Sequence, residues 1–172
     1  VDENGVAATK TVSINVASVN DAPTVVDEAV ELAANKSVVL RVLSNDSDIE
    51  GQDISLKLNS VEFNGAAGAV TATQNADGTI TITPDPNHAL FVDLAKNAAA
   101  AVQTISYTVQ DTEGGETDGQ VNLTVLGVEG PPVAGDDTAQ VTEGGSVVVD
   151  VLANDTDKDN DDLTVLTPTA GQ

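Results

Sequence analysis

Apolar and polar residues alternate in short runs along most of the chain. Val38, Leu40 and Val42 share one parity, with Arg41 on the other. Ile54, Leu56 and Leu58 alternate with Ser55 and Lys57, and Ile105, Tyr107 and Val109 alternate with Thr104, Ser106 and Thr108. Val121, Leu123 and Val125 form a further run, and Ile80 and Ile82 lie between threonines in Thr79-Ile80-Thr81-Ile82-Thr83. A period of two places every second side chain on one face of a strand, so these runs predict half-buried β-strands. Val and Thr dominate them, as the pleated surface favours. Turn signals separate the runs: Asn64-Gly65 after Phe63 reads as a hairpin, and Ala76-Asp77-Gly78 as a turn. His88 to Ala101, with its Ala98–Ala101 run, is the one helical candidate, and it reads as a short helical turn in a crossover between strands. About seven strands result, the complement of a Greek-key sandwich.

The pattern repeats. Shifting the chain by 109 positions lays Asp46 on Asp155 without a gap. Val38 to Asp48 then falls on Val147 to Asp157, Pro23 on Pro132, Asp27 on Asp136, Ser37 on Ser146 and Asp53 on Asp162. At the start, Asp2, Gly5, Val12, Val16 and Val19 fall on Asp111, Gly114, Val121, Val125 and Val128. Roughly a quarter of the overlapped positions are identical, against roughly one in fifteen for ordinary composition. Residues 1–20 are therefore expected to hold the C-terminal strand or strands of a preceding repeat, 21–129 a complete β-sandwich repeat, and 130–172 the N-terminal half of a following repeat. This period is too long for a solenoid and suits an immunoglobulin-sized sandwich. Pro23 and Pro131-Pro132 stiffen the junctions.

Charge changes the picture next. The 172 residues carry 6 Lys+Arg against 28 Asp+Glu, a formal net charge of −22, with no Cys. So few cations argue against nucleic acid, whose phosphates need Lys and Arg. No run of about 18 apolar residues predicts membrane insertion, and Val1-Asp2-Glu3-Asn4-Gly5 does not read as a signal peptide. Disulfides and zinc thiolates are excluded by the missing Cys.

The acid is clustered and the clusters recur. Asn45, Asp46, Asp48, Glu50 and Asp53 follow the Val38 strand, and Asn154, Asp155, Asp157, Asp159 and Asp162 follow its copy. Oxygen donors at alternate positions of a loop let one turn aim several carboxylates at one point, as Ca²⁺ requires with six to eight oxygens at about 2.3–2.6 Å. An EF-hand is rejected: its twelfth position would be Lys57 or Leu166, where a bidentate Glu is needed. A second set lies near the junctions: Asp111, Glu113, Glu116 and Asp118 between the last two strands, Asn20, Asp21 and Asp27 at the preceding junction, and Asp136, the copy of Asp27. Loops of a sandwich gather at its poles, so these groups should meet where repeats meet. Zn²⁺ favours His and Cys, and Mg²⁺ binds through few carboxylates, so Ca²⁺ is the expected cofactor. The competing reading is a solvated acidic surface.

Leu43-Ser44-Asn45-Asp46-Ser47-Asp48 and Leu152-Ala153-Asn154-Asp155-Thr156-Asp157 resemble the LANDTD motif of bacterial cadherin-like and immunoglobulin-like repeats. Ile105 to Gly115 resembles the YTV-D-GG signature of VCBS-type repeats, and Val19 to Pro23 their usual junction. The chain departs from the pattern at Ile49-Glu50, where Pro-Asp is frequent, and at Glu129-Gly130, which replaces Asn-Asp. The resemblance implies an all-β, Greek-key immunoglobulin/cadherin-like fold in tandem, within large secreted RTX-type adhesins. It further implies a calcium-stiffened extender at the bacterial cell surface or in an extracellular filament or biofilm matrix, holding a distal binding region.

No enzyme is expected. Three aromatic residues cannot build a sugar platform, and His88, the only histidine, reads as a loop residue beside Asn87 and Ala89. The alternative function is a glycan- or protein-binding or self-associating module. The expected partners are neighbouring repeats, with other copies completing the partial ends through strand donation or filament packing.

Overall fold

The computed structural model describes residues 3–5, 7 and 9–166. Among the described residues, eight strands run in order β1 (Glu28–Ala33), β2 (Val38–Leu40), β3 (Ser55–Leu56), β4 (Glu62–Phe63), β5 (Val70–Gln74), β6 (Ile80–Pro84), β7 (Gln103–Gln110) and β8 (Glu116–Leu126). They form two sheets. One is ordered β1-β8-β7-β3, with β4 also paired to β7; the other is β2-β6-β5. The molecule is an immunoglobulin-like β-sandwich. The first and last strands pair in parallel, from Glu28 opposite Val121 to Ala33 opposite Leu126. The other named strand pairs are antiparallel.

The period-two runs supply the core. Ile80 and Ile82 from one sheet meet Ile105, Tyr107, Val109, Val121, Leu123 and Val125 from the other, all fully buried. Phe91 and Val42, from outside the strands, are buried in the same core. Strand alternation thus becomes a shared apolar interior, the main favourable term in folding.

Ala76-Asp77-Gly78 makes the β5–β6 hairpin turn. Gly78 has φ 78°, and the Asp77 carboxylate accepts from the Thr79 amide (3.1 Å) and hydroxyl (2.6 Å). Asn64-Gly65 behaves differently from the hairpin expected of it. β4 pairs with β7, whereas β5 pairs with β6, so the chain changes sheets between β4 and β5. Gly65 is needed for room: a Cβ there would lie 2.2 Å from the Phe63 ring. Leu58, read as an inward residue, is 78% exposed because β3 ends at Leu56 and the chain turns at Asn59, whose φ is 60°.

His88 to Ala101 crosses from β6 to β7 as turns. Phe91 and Val92 amides both donate to the His88 carbonyl, at 2.8 and 3.0 Å, and Phe91 anchors the segment in the core. Residues 9–19 form no strand, and Val12, Ile14, Val16 and Val19 are exposed. Asp2, the residue aligned with Asp111, lies outside the described residues, as do residues 167–172, the end of the expected following repeat.

Candidate metal centre

The 3-10 turn Val42–Ser44 ends β2 and delivers the chain into the acidic loop. Val42 is buried and fixes the loop's entrance. A single bridge, Thr24 with Ser47, then ties the loop to the segment after the junction. Around that bridge the acidic side chains first serve the backbone. Asp46 Oδ1 accepts from the Val26 amide at 2.9 Å, and Asp48 Oδ1 accepts from Glu50 (2.9 Å) and Gln52 (3.1 Å). Glu50 Oε2 accepts from the Asp21 amide at 3.4 Å.

The second loop repeats most of these bonds 109 residues on. Val133 bridges Thr156, Asp155 Oδ1 accepts from Gly135 (2.8 Å), and Asp157 Oδ1 accepts from Asp159 (2.7 Å). Asp159 Oδ2 accepts from Gly130 at 2.8 Å, as Glu50 does from Asp21. Asn45 and Asn154 each donate to a nearby carbonyl, of Val26 (3.2 Å) and Asp136 (3.1 Å). One backbone template therefore serves both loops.

Three groupings of the candidate ligands result. The first is at the junction: Asn20 donates to Asp111 Oδ2 at 2.9 Å and accepts from the Gln52 side chain, whose Oε1 accepts from Thr112 Oγ1 at 3.0 Å. Asp111 is 6% exposed, and its Oδ1 takes the amides of Glu113, Gly114 and Gly115 at 2.6–2.9 Å. The Asn20 amide, then those backbone amides, hold its carboxyl below the usual range despite burial. Gly115 is small by necessity, since a Cβ would lie 2.3 Å from Asp111 Oδ2. Asp111 is thus committed to closing the β7–β8 turn.

The second grouping contains a residue absent from the sequence-based set. Glu28, at the start of β1, accepts from the buried Tyr107 hydroxyl at 2.6 Å. Burial pushes the Glu28 carboxyl up, and the nearby Asp46 charge adds to it. Burial likewise pushes Asp46 up, with Asp27 adding to it. The Tyr107 hydroxyl is pushed well above its ordinary range, by burial first and then by Glu28. Glu28 Oε1, Asp46 Oδ2 and Asp48 Oδ2 are buried atoms without a hydrogen-bond partner. A signal for Glu28 was present: its counterpart one repeat on is Asp137, also an acid. Asp27 turns instead to the sheet edge, accepting from the Gln120 amide at 2.9 Å.

The third grouping is Asp155, Asp157 and Asp159 in the second loop. Asp53, Glu113, Asp136 and Asp162 are exposed, and Glu113 enters the network only through its amide. Among the described residues, no three His, Cys, Asp or Glu side chains are grouped so as to hold a metal ion. Glu28 and Asp46 are neighbouring carboxylates, each with a buried oxygen that lacks a hydrogen-bond partner. Their donor chemistry suits a hard cation: oxygen only, negative, and with lone pairs unused inside the fold. His88 Nδ1 accepts from the Leu90 amide at 3.2 Å and its ring tilts against Phe91, so it caps its own loop.

No curated protein sequence matches significantly. Solved structures with similar folds include a nucleoside hydrolase-related hypothetical protein from Saccharophagus degradans, 16% identical with a TM-score of 0.44, covering 62% of this chain. The chain spans 26% of that protein. Another is the PKD domain from KIAA 1837 protein, 18% identical with a TM-score of 0.40, covering 68% of this chain and 97% of that one. A third is the N-terminal Ig1-2 module of the Drosophila receptor protein tyrosine phosphatase DLAR, 12% identical with a TM-score of 0.33, covering 67% and 56%. A family model described as "Bacterial Ig domain" matches residues 20–124 and again 129–172. With two matches that together span most of its length, the chain belongs to the bacterial Ig domain family.

Proposed function

We propose that the chain is a calcium-stabilised structural extender of a secreted bacterial surface adhesin or extracellular matrix filament. Domains of this family are often extracellular and typically non-enzymatic, and no helix among the described residues is long and apolar enough to cross a membrane. The observation that carries the calcium reading is the set of orphaned, buried carboxylate oxygens on Glu28, Asp46 and Asp48. Buried acceptors without partners are costly, and the Asp46 charge that helps raise the Glu28 pKa repels the ionised Glu28.

Glu28 and Asp46 would hold the ion as a carboxylate pair, with Asn45 beside them. Calcium would supply positive charge where the fold gathers negative charge. The chain's own residues do the rest. Tyr107 fixes one Glu28 oxygen, the Val26 amide fixes one Asp46 oxygen, and the Glu50 and Gln52 amides fix one Asp48 oxygen. Each carboxylate is therefore oriented through one oxygen and leaves the other unused. A ligand that binds only the folded state stabilises it by mass action. Such a repeat stays compact where calcium is plentiful and loosens where it is scarce.

The test is thermal unfolding of the 172-residue chain in millimolar calcium and in chelator. A rise in midpoint of several degrees is expected with calcium, and Asp46→Asn should remove most of it. Equal midpoints in the two buffers would defeat the reading.

A further inference from the structure

The crossover loop between β6 and β7 reaches the following repeat. Lys96, on that loop, pairs its ammonium with Glu129 at 2.5 Å, and its backbone amide donates to Asp159 Oδ1. Asp159 Oδ2 takes the Gly130 amide at 2.8 Å. One carboxylate of the following repeat thus joins the crossover loop to the linker. Lys158, next to it, crosses in the opposite sense: its ammonium donates to the Val92 carbonyl at 3.1 Å. Its aliphatic stem lies over Gly130, where a Cβ would be 2.2 Å from Cε. Glu129, Asp159 and Asp161 all act on Lys96, and Glu129 raises its pKa most.

We propose that the loop from Val92 to Asn97 is a docking surface for the acidic loop of the next repeat, with Lys96 and Lys158 as built-in counter-ions. Two of the chain's six basic residues stand at this one junction, where the surrounding acid would otherwise drive the repeats apart. Their ammonium groups are tethered, so they neutralise that acid at any calcium concentration. The partner is defined by its chemistry: an Asp-x-Asp loop with a Lys between the acids, and a small residue in the linker beneath it. The surface is distinct from the Glu28–Asp46 pair and stands whether or not calcium binds there.

The corresponding position in the first acidic loop is Ile49, which is 79% exposed. Docking of this kind is therefore written into the second loop and not into the first. The exposed ion pair alone contributes little. The clasp rests on its combination with the shared Asp159 acceptor and the packed Lys158 stem.

The absence of Cys allows a direct test by paired spin labels. Labels at Glu62→Cys and Ala153→Cys in the 172-residue chain report the distance between the sandwich and the following loop by pulsed electron resonance. In chelator at low salt, a narrow distribution is expected. Lys96→Ala with Lys158→Ala should broaden it at least twofold, and Lys96→Arg with Lys158→Arg should keep it narrow. High salt should broaden the wild type partway, because it screens exposed charges. Circular dichroism of the Ala variant should retain the wild-type melt of the sandwich. A broad wild-type distribution in chelator, or an Ala variant as narrow as the wild type, would overturn the proposal. Failure of calcium to raise the melting midpoint would leave these outcomes unchanged, so the two readings fail separately.

Discussion

The Asn45–Asp53 loop and the Asn154–Asp162 loop share a backbone and differ in what surrounds it. Four hydrogen-bonding relations recur at the same offset, through Asp46/Asp155, Asp48/Asp157, Glu50/Asp159 and the Thr24–Ser47/Val133–Thr156 bridges. Around them, the Asn20–Gln52 amide contact of the first junction becomes a Glu129–Asp161 carboxyl contact in the second. Beneath them, Val42 is buried whereas its counterpart Val151 is 42% exposed. The comparison teaches that the turn chemistry is local. A few Asp side chains hold the loop's shape with or without a finished sandwich below it. The surrounding charges and the apolar floor then decide what each copy does.

The largest expected difference lies in that floor. Val42→Ala should cost about 2–3 kcal/mol, through lost burial and a cavity, while Val151→Ala should stay within about 0.5 kcal/mol. Denaturant unfolding followed by circular dichroism measures both, and equal costs would break the comparison. A smaller contrast is expected at the glycines. Gly115→Ala drives a methyl against Asp111 and the Ala22 backbone and should cost about 1–3 kcal/mol. Gly135→Ala meets only the end of the Asn154 side chain, at a position where the first copy already carries Val26, and should stay within about 0.5 kcal/mol.

The smallest effect is a pH slope, and its sign differs between two parts of the first pole. Glu28 and Asp46 have raised pKa values, so the folded state holds their protons to higher pH than the unfolded chain does. Their contribution to stability is complete below the ordinary carboxylate values of 4.5 and 3.8 and is lost as pH rises through the raised ones. Asp111 is lowered, so its contribution is present above 3.8 and is lost as pH falls through its folded value. In chelator, Glu28→Gln should therefore flatten the decline in stability from acid toward neutral pH, and calcium should flatten it in the wild type. Melting midpoints across that range give the answer, and a Glu28→Gln slope as steep as the wild type would refute the assignment.

The fold was legible where a local pattern coincides with a global need. Ile105, Tyr107 and Val109, and Val121, Leu123 and Val125, announce their inward faces by alternation, and the structure buries all six. Asp77-Gly78 announces its turn because both residues act within that turn. Asn64-Gly65 misled because a hairpin signal says nothing about which sheet the next strand joins, and β5 joins β6 rather than β4. Leu58 misled because alternation continues on paper after β3 has ended at Leu56, and Leu58 already belongs to the turn with Asn59. At the site, spacing located the acidic loops, but many of their oxygens are spent on backbone amides. Glu28 was missed because it lies in a strand rather than in an acidic run. Lys96 was missed because its loop has no second copy within the sequence to mark it.

The parallel pairing of β1 with β8 bears on how the sandwich would carry load. Tension along the array pulls β1 from its first residue and β8 from its last. In a parallel pair those pulls slide the strands past each other along their length. The hydrogen bonds between Glu28–Ala33 and Val121–Leu126 are then loaded together in shear, where a hairpin pulled at its open end would give way one bond at a time. The first and last strands of the sandwich are thus joined to each other, and force entering one and leaving the other can cross a single ladder before it reaches the rest of the core.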